Sequence, residues 1–129
     1  MSTELNSVRN LRLFNRLNKS IKQGITDLQN KDIESSNNYI NFALKTAKSL
    51  EGIAQPPFKD HFTNIINGLG EYLESRSEST LVSTHPQSVH SQLWAVHKKI
   101  CDTYDIPYTE DVEKMEEIVT QLADEGKIS

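Results

Sequence analysis

The chain has 129 residues, of which 36% are hydrophobic and 25% charged, a length and balance that suit one ordinary core and argue against wholesale disorder. No apolar run approaches the roughly 18 residues of a membrane-spanning helix, and the opening MSTELNSV has no apolar signal core. The net charge of -4 is uneven: eight Lys or Arg stand against five acids in residues 1–53, four against four in 54–101, and two against nine in 102–129.

Cys101 is the only cysteine, so an intramolecular disulfide is excluded and a reducing, cytoplasmic location is expected. It lies in an apolar-periodic stretch and reads as a packed thiol rather than a nucleophile. Strand signals are poor, with no sustained two-residue alternation and no Asn-Gly or Asp-Gly hairpin turn. Helical spacing recurs instead.

The first predicted helix covers about 5–29, with Val8, Leu11, Phe14, Leu17, Ile21, Ile25 and Leu28 in steps of three or four. The second covers about 33–51, with Asp32 as N-cap, Gly52 as C-terminal cap and Pro56-Pro57 barring continuation. The third covers about 59–75 along Phe62, Ile65, Ile66, Leu69 and Leu73, with Gly68 and Gly70 permitting a close helix approach. Residues 75–84 read as a mobile loop. The fourth helix covers about 86–104, capped by Thr84 or His85 with Pro86 in its first turn, and Trp94 lies beside its stripe of Val89, Leu93, Val96 and Ile100. YDIPY, at 104–108, is a break. An acidic last helix covers about 110–125, capped by Thr109 and closed near Gly126, with Val112, Met115, Val119 and Leu122 facing one way. These elements predict a single all-α domain over residues 1–129, an antiparallel bundle of four to five helices.

VRNLRLFNRLNKSIK, at 8–22, carries five cations and no acid. At about 100° per residue, Arg9, Arg12, Arg16 and Lys19 fall within about 80° of one another, with Lys22 further round. The aliphatic stripe lies opposite, so this is the outer face of a core helix. It reads either as a solvated face or as a surface for an acidic partner. A polyanion is disfavoured by the sequence pI of about 5.5 and by the lack of aromatics on that face. A membrane surface is disfavoured because the apolar side must serve the bundle and carries no Trp.

Other constellations are weaker. His90 and His97 are two turns apart, about 10 Å along a helix, too far to share one small ion. Those two, with His61 and His85, are expected at the surface or its boundary. EYLE supplies Glu71 and Glu74 for a carboxylate- or metal-dependent helical enzyme, but the companion ExxD motif is missing. No G-x-S-x-G elbow, P-loop or GxGxxG occurs. No cofactor or metal is expected.

ITDLQNKDIESSNNYINFALKTAKSLEGI, at 25–53, resembles the second-helix region of the flagellin export chaperone family, and LGEYLESRSES, at 69–79, resembles its Tyr-rich third helix. The N-terminal pattern and the third-helix Asn of that family are absent, and the acidic last helix is additional. The resemblance implies a small helical bundle that receives another protein's helix, and it assigns no residue a role.

The expectation is a non-enzymatic protein–protein interaction module: an adaptor, an export or assembly chaperone, or a regulatory inhibitor. Its partner is another protein or a second copy. Arg9, Arg12, Arg16 and Lys19 would form a basic partner-binding face and Glu113, Glu116 and Glu117 an acidic one. The alternatives are the helical enzyme, using Glu71, Glu74, His90 or His97, and a nucleic-acid binder acting through the first helix.

Overall fold

The computed structural model describes residues 7–129. They form an all-α bundle of six helices, one more than the upper expectation: α1 (Val8–Gln29), α2 (Ile33–Ile53), α3 (Phe58–Ser75), α4 (Ser79–Val82), α5 (Val89–Thr103) and α6 (Val112–Asp124). Residues 5 and 6, expected at the start of the first helix, lie outside the described residues. α1 begins where the Ser7 hydroxyl accepts from the Asn10 amide at 3.0 Å.

Leu11, Phe14, Leu17 and Ile21 of α1 are buried, as their spacing requires, and meet Ile40, Ala43, Ala47 and Leu50 of α2 in the core. The α1–α2 approach is close because position 24 is glycine. A Cβ there would stand 2.6 Å from Ile40 Cδ1. Ser36, fully buried, donates its hydroxyl to the Gly24 carbonyl at 2.7 Å, so this buried polar group is satisfied. Gly68 does the same for α3 and α5, where an added Cβ would lie 2.6 Å from Val89 Cγ2; Gly70 faces open space.

The caps differ from expectation at three ends. α2 runs through Gly52 to Ile53 and stops at Ala54, whose extended backbone leads into the prolines. α5 starts at Val89, not in the first turn after Pro86. The Ser88 hydroxyl caps it, accepting from the Ser91 amide at 3.2 Å. Pro86 stays outside the helix, where its carbonyl accepts from Gln92 Nε2 at 2.5 Å. Asp111 caps α6, accepting from the Glu113 and Lys114 amides at 2.9 and 3.2 Å, while Thr109 caps only the turn before it. Gly126, at φ 74°, closes α6 as expected. Residues 75–84 contain α4, anchored by buried Leu81.

Successive long helices pack antiparallel until α5. Asn18 and Phe14 of α1 meet His97 of α5, which places α5 against α1 as well as α3. The chain then turns at Asp105, with φ 54°, and runs back along α5: Tyr108 lies on Trp94 at 6.0 Å between ring centroids. At the far end the Glu110 carbonyl accepts from Lys22 Nζ at 3.0 Å. α6 therefore starts beside the C-terminal half of α1 and descends along it, and the Ser129 carbonyl accepts from the Val8 amide at 3.1 Å. α5 and α6 thus share a direction, both opposite to α1. The short connections foreseen for an antiparallel neighbour are replaced here by this extended strap.

Candidate docking face on α1

α1 is flanked by α2 on one side and by α5 and α6 on the other, which leaves a single outward strip. Arg9, Arg12, Arg16 and Lys19 all lie on that strip and are exposed. Lys22, also exposed, is drawn aside to Glu110. Arg12 donates through Nη2 to Thr120 Oγ1 of α6 at 3.3 Å. None of these five cations joins an ion pair; the one found among the described residues is Lys127–Glu125, at 3.2 Å.

The acidic residues are brought to the same place. Glu113 and Glu116 line an open cleft of about 410 Å³ together with Arg12, Asn15, Arg16 and Lys19. Glu116 accepts from Asn15 Nδ2 at 2.8 Å. Glu117 is exposed on α6 and does not line that cleft. The basic and acidic surfaces foreseen as separate faces are therefore neighbours, because α6 lies beside α1.

Under the strip is a polar seam that the periodicity did not reveal. Asn15 and Asn18 sit three residues apart on the edge of the α1 stripe and are 2% and 3% exposed. Asn18 Nδ2 donates to His97 Nε2 at 3.0 Å, which leaves the proton of the neutral ring on Nδ1. His97 Nδ1 and Asn15 Oδ1 are buried without a partner. His97 is fully buried edge-on to Phe14, at 4.9 Å between centroids, and not at the surface as expected. Burial, with the charge of Lys22 adding to it, lowers its pKa to about 4. The site therefore disfavours the charged ring, and near neutral pH His97 packs as a neutral aromatic ring.

The other candidates are scattered. His85 and His90 are exposed, and His61 is half-buried with Nδ1 2.7 Å from Gln92 Oε1. Glu71 lines a polar cleft of about 310 Å³ between α3 and the α4 region, and Glu74 is exposed further along α3. No group of three or more His, Cys, Asp or Glu among the described residues is placed to hold a metal ion. Cys101 is buried, as its stripe implied. No described helix is long and apolar enough to cross a membrane. Burial pushes the Tyr108 hydroxyl well above its ordinary value, with Glu110 adding to the effect.

Sequence spacing also passed over the outward side of α2. Tyr39 and Phe42 are 42% and 45% exposed, although their neighbours Ile40 and Ala43 are fully buried. The available signal was an apolar residue one place off the buried stripe, twice in succession.

No family model, curated protein or solved structure matches this chain.

Proposed function

We propose that this chain is a non-enzymatic interaction module, of the adaptor, chaperone or regulatory-inhibitor kind, that receives an acidic surface of another protein on the outward face of α1. One observation carries the reading: Arg9, Arg12, Arg16 and Lys19 share a single exposed strip, and none is neutralised by an ion pair. A fixed cationic strip on a rigid, packed helix favours a carboxylate-bearing partner and speeds its encounter. The strip needs no rearrangement to bind, since α1 is held along its whole length by core side chains. Glu113 and Glu116 at one border limit how far a partner's acids reach toward α6 and so bias them toward α2.

The test is charge reversal. Arg12→Glu with Arg16→Glu, both exposed, leaves helicity by circular dichroism unchanged. Proteins captured from native extract by the wild type at low salt are lost by this variant, and are lost by the wild type at about 200 mM salt. Identical capture by both proteins, or capture indifferent to salt, sinks the reading.

A further inference from the structure

The seam between α1 and α2 is pinned at one end by the Ser35 hydroxyl, which donates to Asp27 Oδ2 at 2.5 Å. From that bond the two antiparallel helices run away with the same spacing. Along α2, Tyr39, Phe42, Thr46, Ser49 and Ile53 follow Ser35 at i+4, i+7, i+11, i+14 and i+18. Along α1, Gln23, Ser20, Arg16, Leu13 and Arg9 precede Asp27 by the same steps. The two rows border one shallow surface groove, roughly 21 Å long over the α1 row at 1.5 Å per residue, with buried Ser20 and Thr46 as its floor at mid-length.

Its chemistry is mixed. Tyr39, Phe42 and Ile53 are 42%, 45% and 47% exposed, and Leu13 of the α1 row is half-buried. Arg9 and Arg16 lie in the α1 row itself, with Arg12 and Lys19 on the strip beside it. Along this groove apolar contacts are flanked on one side by cations. In this register Tyr39 and Phe42 stand opposite Gln23 and Ser20, with Arg16 one turn further along, and exposed aromatic residues near an arginine are the composition of a binding hot spot more than of a solvated face.

We infer that the α1–α2 groove takes an acidic amphipathic helix of another protein, its apolar stripe on Leu13, Tyr39, Phe42 and Ile53 and its carboxylates against Arg9, Arg12, Arg16 and Lys19. This rests on the reading of α1 as a docking face and adds the partner's shape. Charge complementarity selects the occupant. A helix is the element whose i, i+3, i+4, i+7 spacing matches a groove built from two helices. A second copy fits poorly, because the outward side of its α6 presents Glu113, Glu117, Gln121 and Asp124 with no apolar stripe.

The test uses the full chain and two labelled synthetic peptides of about five helical turns. In the first, Leu and Ile recur at i, i+3, i+4 and i+7 with Glu along one flank. The second has the same composition scrambled. By fluorescence anisotropy at low salt, the amphipathic peptide binds at least about tenfold tighter than the scrambled one. Tyr39→Ala with Phe42→Ala weakens it by about tenfold, with the circular dichroism spectrum unchanged. Equal binding of both peptides, lost on reversing Arg12 and Arg16 but indifferent to Tyr39 and Phe42, overturns the helix and leaves the charged docking face standing. Failure of both peptides to bind overturns both readings. A single-stranded oligonucleotide that binds more tightly than the amphipathic peptide, and depends on Tyr39 and Phe42, overturns the inference in favour of nucleic acid.

Discussion

The two sides of α1 are built on different principles. Toward α2 the contact is close and apolar: Gly24 admits Ile40, Ala43 and Ala47 are fully buried, and Ser36 has its bond. Toward α5 and α6 the contact is polar and incompletely satisfied, with Asn15 Oδ1 and His97 Nδ1 left unpaired. The first side gains dispersion and hydrophobic energy at little polar cost. The second gives up part of that gain, because buried polar atoms without partners cost free energy. The helix that carries the candidate docking strip is thus held mainly by α2, the same helix that supplies the exposed aromatics.

The contrast breaks most sharply at Ile40. Ile40→Ala opens a cavity in the close side and lowers stability by about 3–4 kcal/mol, read from the urea midpoint at constant slope. Acid separates the two sides next. His97 is neutral in the fold, with a pKa lowered from 6.5 to about 4, so protonation favours the unfolded chain. The stability held by burying the neutral ring is complete above about pH 6.5 and is lost as pH falls toward 4, by roughly 3 kcal/mol at most. His97→Leu flattens unfolding free energy across that interval; an unchanged pH slope would show that His97 does not set it.

A smaller effect of opposite sign is expected from Asn15→Leu, which removes a buried unpaired oxygen and releases the already exposed Glu116 from its bond. It raises stability by about 1 kcal/mol, seen as a higher melting temperature. Ser36→Ala, on the satisfied side, lowers it by a similar amount, about 1 kcal/mol. Least of all, Tyr39→Ala and Phe42→Ala each change stability by less than about 0.5 kcal/mol, since both side chains are over two-fifths exposed. A larger loss at either position would mean that it packs rather than docks.

The apolar stripes of α1, α3, α5 and α6 were legible in the sequence because a residue's period records which face it buries. The same logic placed Arg9, Arg12, Arg16 and Lys19 outside and Cys101 inside. It misplaced His97 and passed over Asn15 and Asn18, because a polar side chain on the edge of a stripe has no period of its own. Whether it is wet depends on a helix arriving from elsewhere. Caps were legible only where one candidate stood alone, as at Asp32. Where Thr84 or His85 and Thr109 were expected, Ser88 and Asp111 took the caps instead, a choice that belonged to the geometry of the preceding turn.

The sequence by itself determined that this chain is helical, which apolar residues form the inward stripes of most of its helices, and that its first helix shows cations to the outside. Helix formation and amphipathicity are local, settled by side chains three and four residues apart. Tertiary structure alone decided that the strap returns along α5, that α6 lies beside the basic strip, and that Tyr39 and Phe42 border the same groove as Arg9 and Arg16. Those are relations between segments far apart in the chain, fixed by which apolar faces cover one another, and no local spacing encodes them.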